Sequence, residues 1–310
     1  MIDPKVVSLL TLIQTGSYTR AAKELCLSQP AVSHHIRQLE EEYGIKIFYK
    51  DRKELKPTPE GAVLVKYARR ALAIHNSCKQ AIEDCRSQIR RFTVAITPTA
   101  GENRIPQMLA TYCSLYPHVH INVFTDTIQN IYNTLKSYEA DIAVVEGQID
   151  HPDFTSVLLD TDYLCLAVAP GHRLAGRSSV ALPELKNEKF ILRSRAAGTR
   201  TLFENYLMSH SESIRSLNVI MEMDSVATIK ELVALGMGIT VIAHSACREE
   251  ELAGRLAVIP IENARMMREI NMVHHKSFTH TEILEEFRRI YTAIQSGQPL
   301  APAAEDAALV

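Results

Sequence analysis

Three kinds of stretch in this sequence carry residue types that could do chemistry. The first is SQPAVSHHIRQLE, residues 28–40. Helical spacing turns Val32, Ile36 and Leu39 inward and leaves Gln29, Ser33, His34 and Arg37 on the open side. Amide and guanidinium groups on one helix face match the donors and acceptors on base edges in a major groove. The same face could instead serve a protein partner. The second kind is a pair, TPTAG at 97–101 and RSRAAGTRT at 193–201, each closing an apolar run and opening a helix. Hydroxyls, helix-start N–H groups and Arg193, Arg195 and Arg200 would together form an anion site. Ordinary capping by Thr99 and Thr199 beside surface arginines is an equal reading. The third is His274, His275 and His280, candidates for catalysis or metal binding, with no Cys or carboxylate at ligand spacing. No nucleophile elbow, phosphate loop or dinucleotide fingerprint is present.

These residues need elements to hold them. Residues 4–15 place Val6, Leu9, Leu10 and Ile13 on one helical face, and Gly16 stops the helix. Ser17 caps a second helix whose Ala21 and Ala22 permit a close crossing. Ser28 caps the third, with Pro30 in its first turn, and Gly44 ends it. IKIFYK and ELKPT around the charged DRK read as a short basic hairpin carrying Arg52, Lys53 and Lys56. Three helices and a basic hairpin make a winged helix-turn-helix. Its third helix would enter the major groove while the wing meets phosphate or minor groove.

Thr58 and Pro59 then open a long helix. In it Leu64, Ala68, Ala71, His75, Cys78, Ile82, Cys85 and Ile89 recur at spacings of four and three, a heptad seam suited to a second copy of the chain. From residue 92 short apolar runs (FTVAIT, HINVFT, DIAVVEG, YLCLAVAP, KFILRS, LNVIMEM, GITVIAH, INMVHHKS) alternate with helical stretches, which predicts an α/β body with a mostly parallel sheet. The simplest arrangement is two lobes with a ligand cleft at their strand ends. The expected boundaries are a winged head at 1–58, a linker and dimerisation helix at 59–90, and a body at 91–296. Within the body, lobe 1 takes about 91–162 and 266–296 and lobe 2 about 163–265. The low-complexity stretch 297–310 is expected to be disordered.

Composition agrees with this division. Residues 1–91 hold 16 Lys+Arg against 10 Asp+Glu, net +6, and the rest hold 18 against 26, net −8, which suggests a polyanion partner for the head alone. No apolar run is long enough to span a membrane and no signal peptide is evident, so a cytoplasmic protein with no membrane partner is expected. The six cysteines are scattered with no CxxC pair and read as buried reduced thiols.

Across SYTRAAKELCLSQPAVSHHIRQLEEEYGIKIFYKDRKELKPTPEG, residues 17–61, the chain resembles the LysR-type transcriptional regulators, and the resemblance extends to about residue 296. It implies an N-terminal winged helix-turn-helix, a long linker helix and a two-lobed effector domain like a periplasmic binding protein. It also implies a homodimer or homotetramer on double-stranded operator DNA and a small-molecule effector, with no cofactor or metal and no catalytic residue. The family's DNA-reading positions fall on Gln29, Pro30, Ser33, His34, Arg37, Arg52 and Lys53. Its effector positions fall on Thr97, Thr99, Ala100, Glu146, Thr199 and Arg200. His34 and His35 depart from the family pattern. Glu146 sets a carboxylate in the cleft, where it could repel an anion, pair with Arg200, or accept from an amine or hydroxyl. The expected function is ligand-responsive transcriptional regulation by a small polar metabolite, expected to be anionic; a DNA-tethered, metabolite-processing enzyme is the alternative.

Overall fold

The computed structural model describes residues 2–51, 54–87, 89–147 and 149–300. Arg52 and Lys53 of the wing, and the tail beyond residue 300, lie outside the described residues. The chain forms two compact units. Met1–Arg90 with Lys136–Glu139 make the first, and Arg91–Leu135 with the chain from Ala140 onward make the second.

The first unit runs α1 (Pro4–Thr15), α2 (Tyr18–Glu24), α3 (Gln29–Tyr43), β1 (Phe48–Asp51), β2 (Glu54–Pro57) and α4 (Pro59–Ser87). Side chains of Asp3, Ser17 and Ser28 accept from backbone N–H groups in the first turns of α1, α2 and α3, and Gly16 and Gly44 close α1 and α3 in the left-handed conformation. Leu9, Leu12, Ala21, Ala22, Val32, Ile36, Leu39 and Ile47 form the buried core. Gly61 is fixed by contact: a Cβ there would lie 2.1 Å from the Ile47 carbonyl oxygen, so only glycine lets α4 start against the chain entering β1. Between α2 and α3, Cys26 takes φ 54, a left-handed turn held by a non-glycine residue.

The seam along α4 divides in two. Leu64, Val65 and Ala68 pack into the head core, while Tyr67, Ala71, Ile74, Cys78, Ile82 and Cys85 are exposed. From Ala71 onward the exposed stripe keeps the predicted positions Ala71, Cys78, Ile82 and Cys85, whereas the first positions, Leu64 and Ala68, are taken up by the head. The reason is that α4's first turns are also a wall of the head and must spend their apolar side there.

The second unit runs β3 (Arg90–Ile96), α5 (Pro98–Gly101), α6 (Ile105–Leu115), β4 (Val119–Thr125), α7 (Ile128–Lys136), β5 (Ile142–Glu146) and the long β6 (Phe154–Val168). It continues through α8 (Leu182–Leu185), β7 (Lys189–Arg193), α9 (Gly198–Ser209), β8 (Asn218–Met223), α10 (Val226–Ala234), β9 (Thr240–Ala243), α11 (His244–Leu252) and β10 (Ala257–Ile259). It closes with β11 (Met267–His275) and α12 (Glu282–Ser296). One path of strands has the order β10-β6-β11-β5-β3-β4, with β9 also on β6, and β7 pairs with β8. Strand β7 also joins the run into β9, through Ile191 N–H to Ile239 O at 2.9 Å and Ile239 N–H to Lys189 O at 2.8 Å.

A mostly parallel sheet is not what forms. Strands β3 and β5 are parallel, as are β7 and β8. Strand β11 is antiparallel to both β5 and β6, and β6 is antiparallel to β9 and β10. Strand β6 carries the chain out of lobe 1 and β11 brings it back, so the two must point in opposite directions. The changeover lies between Tyr163, paired with Met267, and Leu164, paired with Ala243.

Alternation along the strands of lobe 1 covers both faces. Val94, Ile96, Ile142 and Val144 meet Met108 of α6 and Phe287 of α12, whereas Ala95, Ala143 and Val145 meet Ile131 and Leu135 of α7. Lobe 2 has one core, in which Leu166, Phe190, Phe203 and Val241 are buried.

Candidate functional site

In the head, Gln29, Pro30, His34 and Arg37 are exposed on α3 and Ser33 is half-buried beside them. Val32, Ile36 and Leu39 hold the opposite face in the core. The two histidines separate by role. His34 faces outward, whereas the His35 ring Nδ1 lies 2.7 Å from the hydroxyl of buried Ser8 on α1, a contact that orients α3. Lys56 on the wing pairs with Asp51 at 2.7 Å.

In the second unit the two helix openings meet through side chains. Thr97 caps α5, accepting from Ala100 N–H at 3.3 Å, and donates its hydroxyl proton to Glu146 Oε2 at 2.7 Å. Thr99, one residue into the same turn from Pro98, accepts from Arg193 Nη1 of lobe 2 at 3.1 Å. Thr199, in the first turn of α9, accepts from Arg268 Nη1 at 3.2 Å. A second Arg268 nitrogen lies 3.5 Å from Asp162, which is itself held by Ser245 N–H and Oγ–H. Lys230 of α10 reaches across to Glu102, after α5, at 3.1 Å, and pairs with Glu250 at 2.9 Å.

Arg200 takes a different position from the one expected of a ligand contact. It is 3 % exposed, and its nitrogens go to Glu204 at 2.6 Å, Glu222 at 3.0 Å and the Arg193 carbonyl at 3.2 Å. It does not meet Glu146, whose partner is Thr97. The donors left over belong to Arg193 and Arg268: in each the Nε–H is buried with no partner among the described residues. Glu146 Oε1 is a buried acceptor in the same condition. Burial holds the Arg193 guanidinium below its usual pKa; Glu146 and Asp224 oppose the shift and Arg268 adds to it, so all four charges share one field. Each Thr hydroxyl that accepts from an arginine still has a proton to give. Two guanidinium Nε–H donors, two hydroxyls and one carboxylate oxygen are thus left with unused hydrogen-bonding capacity along this set of contacts. Thr97, Ala100 and Glu146 are joined by hydrogen bonds and Thr99 lies in the same turn, while Thr199 is tied to Arg268. Arg193 was visible in the sequence only as one of three neighbouring arginines. Arg268 and Asp162 carried no signal, because nothing in MMREINMVHH or TDYLCL sets them apart from polar strand ends.

The histidine cluster is structural in its contacts. His274 is buried with Nδ1 2.9 Å from the His275 carbonyl, which requires the proton on Nδ1. Among the described residues no group of three or more His, Cys, Asp or Glu is placed to hold a metal ion. Cys165 and Cys247 are buried, but Cys26, Cys78 and Cys85 are exposed, against the expectation that all six are core thiols. Cys78 and Cys85 sit on the surface of α4 and Cys26 in the turn between α2 and α3, which composition does not reveal.

Residues 86–295 match the LysR substrate binding domain, and residues 5–62 match the bacterial regulatory helix-turn-helix protein of the lysR family. The chain belongs to the LysR family. This LysR-family chain is a DNA-binding transcriptional regulator with an effector-binding domain. It is 26% identical over 281 residues to the HTH-type transcriptional regulator CysL of Bacillus subtilis (strain 168), covering 90% of this chain and 93% of that one. Full-length CbnR complexed with its target DNA superposes with a TM-score of 0.67 at 18% identity, covering 94% and 99% of the two chains. The regulatory domain of Synechocystis PCC6803 CcmR in complex with 2-PG matches with a TM-score of 0.58 at 23% identity, covering 68% of this chain and 99% of that one. Among the described residues no helix of the regulator is long and apolar enough to cross a membrane.

Proposed function

We propose that this LysR-family regulator reads operator DNA with Gln29, Pro30, Ser33, His34 and Arg37 of α3, flanked by Arg52 and Lys53, and answers to a small polar anion in the cleft. The observation that carries the anion is the pair of buried Nε–H donors on Arg193 and Arg268, each without a partner among the described residues. A buried donor left unmade costs about 1–3 kcal/mol, more when charged. An oxyanion reaching both recovers that cost and favours the closed lobes by its higher affinity for them. The 2-PG held by the CcmR domain is in keeping with a small ligand in this fold. The exposed stripe on α4 fits a second copy of the chain, giving a homodimer or homotetramer in the cytoplasm.

Calorimetric titration of the full-length protein with a panel of small anions tests the reading. Wild type is expected to bind at least one of them, with stabilisation of about 2.7 kcal/mol at a hundred times its Kd. Arg193→Gln and Arg268→Gln should each weaken that affinity by tenfold or more and remove the anion's effect on operator affinity. Binding unchanged in both variants would rule out the arginine site.

A further inference from the structure

Glu146 is close enough to Arg193 to favour its charged form, yet the two do not pair. Glu146 Oε2 is occupied by the Thr97 hydroxyl, and Thr97 is held in turn by the Ala100 N–H that it caps. Arg193 spends Nη1 on Thr99. What remains on each is buried and unengaged: Oε1 of Glu146, an acceptor, and Nε of Arg193, a donor. The Nε of Arg268 is a second donor. A fully ionised ligand would satisfy the two donors and leave its own oxygens against Oε1, two acceptors with no proton between them. Like-charge contact of that kind in a buried site is strongly unfavourable. Only a ligand that brings a hydrogen of its own completes all three groups.

We infer that Glu146 selects the effector, admitting an anion that carries its own hydroxyl or ammonium hydrogen and rejecting one that does not. This rests on the arginine-held anion proposed above. Small hydroxy- or amino-carboxylates and hydrogen phosphate share the required chemistry; acetate and sulfate have the charge without the hydrogen. Glu146 is then a specificity residue, distinct in role from the arginines that supply affinity.

The test uses matched probes on the full-length protein near pH 7.5: glycolate against acetate, and hydrogen phosphate against sulfate, each by calorimetric titration. Within at least one pair the hydrogen-bearing anion should bind about tenfold or more tightly, the ratio that one charge-assisted hydrogen bond provides. The pair that discriminates names the ligand as carboxylate or phosphate. Glu146→Gln exchanges part of the acceptor for an N–H donor and should abolish or reverse the ratio, while binding stays sensitive to Arg193→Gln. Equal affinity within both pairs in the wild-type protein, or tighter binding of acetate and sulfate, overturns the inference and leaves the arginine site standing. No binding by any of the four, with Arg193→Gln indistinguishable from wild type, overturns the arginine site and this inference with it.

Discussion

Arg200 shows how a buried guanidinium is made safe. Three of its contacts go to protein acceptors, two of them carboxylates that are themselves 36 % exposed. Solvent reaches those carboxylates and screens the pairs, so each contributes less than a fully buried one. We expect Arg200→Ala to lower unfolding stability by about 1–3 kcal/mol in urea titration. It should act on the effector only through Arg193, whose carbonyl it holds, and so weaken anion affinity less than Arg193→Gln does. An equal loss would make Arg200 a direct contact. On α3, Gln29→Ala and Ser33→Ala should each cost about 1–3 kcal/mol on operator DNA while sparing random DNA. Equal losses on both, in binding titrations, would assign them to phosphate. At this scale the sequence was legible where chemistry is local. Ser17 and Ser28 cap the helices that follow them because a side-chain oxygen needs only three residues of reach. The cap of α5, however, is Thr97 rather than the expected Thr99, and Thr199 lies inside α9, which follows Ala197 without a side-chain cap. Which arginine is consumed and which is left with a free Nε–H depends on residues such as Thr99 and Arg193, 94 positions apart, and no local pattern carries that.

The elements divide in the same way. Helices α1 and α3 were readable because each has a 3.6-residue apolar stripe ended by a glycine, and α2 because Ser17 caps it ahead of the paired Ala21 and Ala22. The seam on α4 was readable in period, and Ala71, Cys78, Ile82 and Cys85 lie exposed along it, but its first positions, Leu64 and Ala68, serve the head. Ile74→Asp with Ile82→Asp should therefore give a folded monomer in sedimentation, both positions being half exposed or more in the single chain. Leu64→Asp should instead lower the melting temperature of the head, because it places a charge in that core. An oligomer that survives the Ile74 and Ile82 pair would move the interface off this stripe. In the α2–α3 turn, Cys26→Gly relieves a left-handed side chain. It should raise head stability by up to about 1 kcal/mol, read as a shift in denaturation midpoint at unchanged m.

At the scale of the whole effector domain, the lobes meet through few side chains. Glu102 reaches Lys230, and Thr99 meets Arg193. Lys230 keeps Glu250 and the Ala246 carbonyl when Glu102 is removed. Glu102→Gln is thus expected to leave the cores intact and to speed amide exchange around α5, with anion affinity falling several-fold at most, as suits one partly exposed pair. Unchanged exchange at α5 would show that the link does not hold the lobes. The two-lobed plan was legible from the alternation of strand and helix, but the first half of β6 and the whole of α11 were not. FTSVLLDTD alternates too weakly to mark a strand, and HSACREEEL is a polar surface helix.

Strands β6 and β11 stay hydrogen-bonded to one another from Phe154 opposite His275 to Tyr163 opposite Met267, with one slip in register between Ile270 and Asn271 that leaves Leu159 as the extra residue. The lobes are therefore joined by a ribbon, not by two loose cords. A ribbon of this sort twists readily about its length and resists being stretched or splayed, because splaying would break ladder bonds in succession. The slip at Leu159 lies at the edge of lobe 1, where Ile270 is also paired with Glu146 of β5, and it marks where the ribbon leaves that sheet. Effector binding in such a molecule is expected to wring the strands by a small angle rather than part them. The response should be graded in amplitude and fast to recoil, with no wide opening for solvent to enter.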